Sequence, residues 1–306
     1  MGPANSPKPI PLLVLVSIAA AVSALAGVFL ATWSWNFYQL TLQSTDTYQS
    51  GFQDYATDFT SSANCNVLGI QIHGQIVGSR ADIPLADTLV MQQSDGSTYL
   101  LAPNYTIADE VEDVLRNAKT NENIKGIIVD IDSGGGVVVG GQEIAVAIKR
   151  LAKPSVALIR DLGASAAYLS ASATDEVLAS RDSSVGSIGV TSSFVTQTSK
   201  TTKEGLVFEQ LSSGPFKDTF NPEKPLNDAE RALIMRDVKI SRDHFVSLVS
   251  EYRSIPYEDV DKIADGSTVL GSTALELGLI DGIGGIGDAI DSLERQLGEP
   301  VSICWQ

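Results

Sequence analysis

Gly126-Ile127-Ile128-Val129-Asp130-Ile131 is a short apolar run that ends in Asp132-Ser133-Gly134-Gly135-Gly136. A strand that breaks on glycines and is followed by the helical pattern of Gln142–Leu151 reads as the start of a βαβ unit. The alternation continues in both directions. Upstream, Val67–Val77 alternates apolar and polar residues as a half-buried strand does, and Asn104–Lys119 reads as a helix. Ile107, Val111, Val114 and Leu115 form that helix's apolar stripe, with Asn104 or Thr106 as its cap. Downstream, Pro154 precedes the strand Ser155–Ile159, a helix starts near Ser165, and Glu176–Ala179 is the next strand. Leu206–Leu211 reads as a further strand, Asn227–Arg253 as a long amphipathic helix, and Ile263–Leu297 as helix and glycine-rich turn. Strands alternating with helices predict an α/β fold with a mainly parallel sheet.

Composition excludes several classes. The 306 residues carry 21 Lys+Arg against 37 Asp+Glu, a formal net charge of −16. Nucleic acid is therefore not an expected partner, because phosphate binding needs a basic surface. With 43% hydrophobic residues the chain can bury a core, which excludes wholesale disorder. Lys8 is the last charged residue before Asp46, and Leu12–Trp33 between them has only Ser and Thr as polar side chains. As a helix rising about 1.5 Å per residue this segment would span roughly 33 Å, a bilayer core. Trp33, Trp35 and Tyr38 suit an interfacial belt, and the positive-inside rule places the N-terminus in the cytoplasm. The expected organisation is a cytoplasmic N-terminus (1–11), a single-pass anchor in the inner (cytoplasmic) membrane (12–33), a polar linker (34–64) and an extracytoplasmic domain (65–306). A signal peptide cleaved after Ala24-Leu25-Ala26 is the alternative, and it exports the same domain.

Open α/β sheets place their sites in the loops after the strands. Gly134-Gly135-Gly136 is one such loop; it lacks the Gly-Lys-Ser/Thr of a phosphate loop. It is either a tight turn or a set of unshielded backbone N–H groups able to hold an oxyanion. Ser165, flanked by Ala164 and Ala166, follows a strand and opens a helix. That placement suits a helix cap or an exposed nucleophile. The two histidines, His73 on the first strand and His244 inside the long helix, sit on no strand-end loop, so a Ser-His-Asp triad is poorly supported. A lysine made neutral by burial can replace histidine, and Lys217, among Gly214, Pro215 and Phe216, is the candidate.

Together these segments resemble the S49 peptidases, in particular the short signal peptide peptidases of SppA type. The resemblance spans roughly residues 67–297. It rests on Asp132-Ser133-Gly134-Gly135-Gly136, Gly163-Ala164-Ser165-Ala166-Ala167-Tyr168, Val185-Gly186-Ser187-Ile188-Gly189-Val190 and Ser213-Gly214-Pro215-Phe216-Lys217-Asp218. Ala166 and Ala167 stand where that family has glycines, and Gly134 where it has proline. The resemblance implies a ClpP/crotonase-like fold of repeated βαβ units and a Ser-Lys endopeptidase. Ser165 would be the nucleophile, Lys217 the base and Ser187 the residue orienting it. Ala166 with Gly135 or Gly136 would supply the oxyanion N–H groups. It further implies a homo-oligomeric ring sharing catalytic groups between subunits, and signal peptides or other membrane-released segments as substrates. A catalytically inactive scaffold of the same fold is the alternative function. An acyl-thioester enzyme is disfavoured by the acidic balance and the export signal.

Cys65 and Cys304 would both reach an oxidising compartment, where they either bridge or remain free thiols. Two cysteines and two scattered histidines have no metal-ligand spacing, so neither metal nor cofactor is expected.

Overall fold

The computed structural model describes residues 65–92, 98–101 and 104–306; the anchor and linker assignments lie outside them. No helix among the described residues is long and apolar enough to cross a membrane. Of the described residues, 65–91, 100–101 and 104–306 belong to one compact unit.

The strands are β1 (Val67–Val77), β2 (Leu89–Gln92), β3 (Thr98–Leu101), β4 (Tyr105–Ile107), β5 (Gly126–Gly136), β6 (Ser155–Ala164), β7 (Glu176–Ala179), β8 (Ser184–Gly186), β9 (Thr268–Leu270), β10 (Gly282–Ile283) and β11 (Ile303–Trp305). The helices are α1 (Ala108–Thr120), α2 (Val138–Leu151), α3 (Ala166–Ser172), α4 (Thr198–Lys203), α5 (Asp228–Arg253), α6 (Tyr257–Ile263), α7 (Gly271–Glu276) and α8 (Ile286–Leu297). The main sheet runs β10-β7-β6-β5-β1-β11, with β4 beside the end of β1 and β8 beside the end of β6. All these pairings are parallel; only β8 with β9 is antiparallel. β2 and β3 pair only with each other. The fold is thus α/β with a mainly parallel sheet.

Strand alternation sends neighbouring residues to opposite faces of the sheet. Ile127, Val129 and Ile131 of β5 join the large core with Ile144 and Ile148 of α2 and Phe245, Val246 and Val249 of α5. Ile128 faces the other way, with Val156, Leu158 and Leu178, under Ala289 and Leu293 of α8. Beyond α8 that second face is polar: the buried Asp130 carboxylate pairs with Arg160 and lies 3.4 Å from His73 Nε2.

Several elements differ from the sequence reading. Tyr105–Ile107 is strand, not helix, and helix α1 starts at Ala108. Thr106 caps nothing: its Oγ1 donates to His73 O at 2.8 Å and accepts the His73 N–H at 2.9 Å. Helix α2 starts at Val138, four residues before Gln142, because Gly140 and Gly141 are helical despite their low propensity. Gly141 has a packing reason, since a Cβ there would lie 2.7 Å from Ala166 Cβ. β5 and β6 run on through Gly136 and Ala164, carrying strand geometry into the loops expected to hold the site. Leu206–Leu211 is not a strand; it lies without regular structure in an arm spanning residues 189–227. β1, which carries His73, is interior to the sheet.

Cys65 and Cys304 form a disulfide, with Cα atoms 5.8 Å apart, where β11 pairs with the start of β1. Helix α1 is closed at its C-terminal end by Lys153, whose Nζ donates to the carbonyls of Ala118, Asn121 and Ile124 at 2.6, 2.8 and 2.6 Å. The ammonium meets the negative end of the helix there.

Candidate active site

The chain turns sharply from β6 into α3 at Ser165. Its backbone angles are φ 53° and ψ −124°, a conformation that L residues rarely adopt. Such strain costs about 1–3 kcal/mol and persists only where the surroundings impose it. Here they do: the Ser165 N–H donates to Gly186 O at 2.8 Å and its carbonyl accepts the Leu169 N–H at 3.0 Å. Although Ser165 occupies the cap position, its side chain makes no cap bond, and Oγ has no hydrogen-bond partner among the described residues. The hydroxyl is therefore held out at the turn rather than used to close the helix. Ala166 and Ala167 have ordinary negative φ, so the absence of glycine there costs the helix start nothing.

The glycine turn at the end of β5 packs on this serine. Gly135 has φ +93°, and a Cβ there would lie 2.8 Å from Ala164 O, 2.8 Å from Ala166 N and 2.9 Å from Ser165 Cβ. Only glycine fits so close to the nucleophile turn. Ala166, as the first residue of α3, has an N–H with no intrahelical acceptor. The Gly135 N–H, in contrast, already donates to Ser133 Oγ at 3.1 Å. Of the two glycines that sequence left open as oxyanion donors, Gly135 is thus engaged elsewhere, and Gly136 remains.

Ser187 lies beside this centre, but its Oγ donates to Gly266 O at 2.8 Å rather than to Lys217. It too has a positive φ, 50°, and its N–H donates to Ser267 O at 2.9 Å.

Lys217 is where the structure departs most from expectation. It sits in a turn closed by its own N–H to Gly214 O at 3.2 Å, exposed, and its Nζ makes no hydrogen bond or ion pair among the described residues. The burial foreseen for it is not supplied within one chain. Apolar side chains of the arm share this exposure: Val195, Val207 and Leu211 are 81%, 91% and 90% exposed. Its base is tied down at the buried Glu230, which accepts from Lys224 Nζ at 2.5 Å and from Thr219 Oγ1 at 3.4 Å. The site residues thus fall into two groups. Ser165, Ala166, Gly135, Gly136 and, through Gly186, Ser187 converge on one turn; Lys217 does not join them.

The histidines do not substitute for it. His73 is 39% exposed beside Asp130, and His244 is exposed against Gln142 at 3.2 Å; neither touches Ser165. Among the described residues no group of three or more His, Cys, Asp and Glu could hold a metal ion.

The sequence also matches known proteins. A protein of Methanocaldococcus jannaschii provisionally named a protease is 30% identical over 184 residues, 60% of this chain and 59% of its own length. A provisionally named signal peptide peptidase SppA of Enterococcus faecium is 30% identical over 185 residues, 60% of this chain and 54% of its own. The chloroplastic serine protease SPPA of Arabidopsis thaliana is 29% identical over 199 residues, 64% of this chain and 29% of its own. The chain therefore spans less than two thirds of these relatives. The profile of Peptidase family S49 matches residues 147–299, half of the chain, which takes in Ser165, Ser187 and Lys217, and on that match the chain belongs to peptidase family S49.

Proposed function

We propose that the protein is a serine endopeptidase of SppA type, with a ClpP/crotonase-like subunit, in which Ser165 and Lys217 form the catalytic dyad. One observation carries this reading above the others: a strained, unbonded Ser165 packed against a glycine turn. In the reaction, Ser165 Oγ attacks a peptide carbonyl carbon as its proton passes to neutral Lys217 Nζ. The N–H groups of Ala166 and Gly136 receive the oxyanion. The tetrahedral intermediate expels the amine, which takes the proton from Lys217, and an acyl-enzyme remains. Water, giving a proton to Lys217, then attacks the acyl carbon, and the acid is released as Lys217 returns that proton to Ser165 Oγ.

Because Lys217 is exposed on an arm with outward apolar side chains, a second copy of the chain is the partner that would bury it. The arm of one subunit reaches the Ser165 turn of the next, within a ring. Extended apolar peptides, remnant signal peptides among them, are the substrates. Residues 12–33 anchor the protein in the inner membrane with the catalytic domain outside.

The test is complementation. Ser165→Ala and Lys217→Ala chains are each expected to be inactive on a signal peptide. Mixed after dissociation, they should regain up to about a quarter of wild-type activity, as random pairing of sites predicts. Two inactive variants that never complement would place both groups in one subunit. The exposure of Lys217 also favours an inactive scaffold, and that reading is favoured if folded wild type neither cleaves the peptide nor labels Ser165 with a fluorophosphonate.

A further inference from the structure

Ser133 has no part in the chemistry above, yet it is 2% exposed and bonded on both sides. Its hydroxyl donates to Gly74 O at 2.5 Å and accepts the Gly135 N–H at 3.1 Å. Gly74 belongs to an irregularity of the sheet, where the β1–β5 register shifts between His73 and Gln75. That irregularity is held firmly. Gly74 has φ +66° and packs so close to Asn104 that a Cβ would lie 2.1 Å from its carbonyl oxygen. The Gln75 N–H donates to the same Asn104 O at 2.8 Å, and Thr106 Oγ1 bonds both backbone groups of His73. On the other side of Ser133, Gly135 is packed on Ser165 and Ala166.

The turn it holds needs holding. Three successive glycines have the greatest backbone freedom of any sequence. A Cβ at Gly134 would meet only Leu162 Cδ2 among the described residues, at 3.5 Å. An oxyanion donor acts by being in place before charge develops, and a displacement of about 1 Å can cost a factor of about 10² in rate.

We infer that Ser133 is a positioning residue for the oxyanion turn. By taking the Gly135 N–H it orients the peptides that follow, so that the Gly136 N–H, with that of Ala166, faces the substrate carbonyl. Held to Gly74 O, it transmits the rigidity of the β1 irregularity to the turn. The inference rests on the serine-peptidase reading.

The test uses the full chain in detergent, as wild type, Ser133→Ala and Ser133→Thr. Fluorophosphonate labelling of Ser165 and peptide cleavage by wild type come first; their absence refutes the peptidase reading and with it the role of Ser133. In an active wild type, Ser133→Ala is expected to lower kcat by about 10- to 100-fold with KM changed less than about 3-fold. Affinity for a peptide boronate, which mimics the tetrahedral state, should fall in parallel, while affinity for the product peptide holds. Ser133→Thr, which keeps the hydroxyl, should recover most of kcat. A kcat within about 2-fold of wild type in Ser133→Ala overturns the inference, as does an equal loss of boronate and product affinity, the mark of a merely structural role. If Ser133→Ala does not fold, Ser133→Cys keeps the volume and weakens both bonds. Wild-type kcat in that chain also overturns the inference.

Discussion

Gly135→Ala is the substitution that most directly tests how the glycine turn meets the nucleophile. Two costs combine. At φ +93° an L residue enters the left-handed half of the map, which costs roughly 1–2 kcal/mol. The new methyl would also lie 2.8 Å from Ala164 O and from Ala166 N, backbone atoms that cannot rotate aside. Relieving such overpacking by shifting backbone costs about 1–3 kcal/mol. The sum is about 2–5 kcal/mol, which in a domain of this size lowers Tm by roughly 4–20 °C. Gly134→Ala is the control from the same turn: its φ is not positive and its nearest contact would be ordinary, 3.5 Å to Leu162 Cδ2. It should change stability by no more than about 0.5 kcal/mol. Both are measured by thermal melting followed by circular dichroism. At a temperature where both are folded, fluorophosphonate labelling of Ser165 should slow in Gly135→Ala, because the methyl pushes on the Ser165–Ala166 peptide. Equal melting temperatures for the two variants would refute the close approach on which the site is built.

Two further outcomes are expected. Replacing Cys65 and Cys304 together by serine should destabilise the domain by about 2–5 kcal/mol, read from denaturant midpoints, because the bridge closes a separation of 239 residues. Glu230 is held below the usual carboxylate range, first by its hydrogen bond from Lys224 and then by the Asn227 N–H. Its folded value therefore lies below its unfolded one, so its stabilisation is complete above about pH 4.3 and is lost as pH falls through the folded value. Limited proteolysis of the arm should accelerate in wild type as pH falls below about 4.3, and Glu230→Gln should cut fast on both sides of that pH.

How much of this was legible depends on the range of the interaction behind each element. Glu176–Ala179 and the apolar start of β5 are read correctly because their side chains alternate between two cores. Ser165, Ser187 and the glycine turn are legible as motifs, since each needs small residues at a sharp bend. Tyr105–Ile107 misleads because Thr106 looks like a helix cap, whereas its hydroxyl is spent on a strand 33 residues away. The start of α2 is hidden because its glycines serve packing rather than propensity, Gly140 against Ile76 and Ala108 and Gly141 against Ala166 of α3. Ser133 has no role in the sequence reading; a small hydroxyl before three glycines is the available signal, but its partner Gly74 lies on another strand. The exposure of Lys217 follows from the arm standing clear of its own domain, which local sequence does not encode.

The bond between Cys65 and Cys304 gives the domain the covalent topology of a loop rather than a line. A single cut anywhere between them leaves one molecule, not two. Cleavage within the outward arm, by a foreign protease or by a neighbouring copy, would therefore release nothing and leave the apparent mass on a non-reducing gel nearly unchanged. The same sample, once reduced, would separate into a fragment carrying Ser165 and another carrying α5 and the C-terminus. An arm that is nicked yet still tethered would keep Lys217 at high local concentration, so loss of intact chain and loss of activity need not follow the same time course.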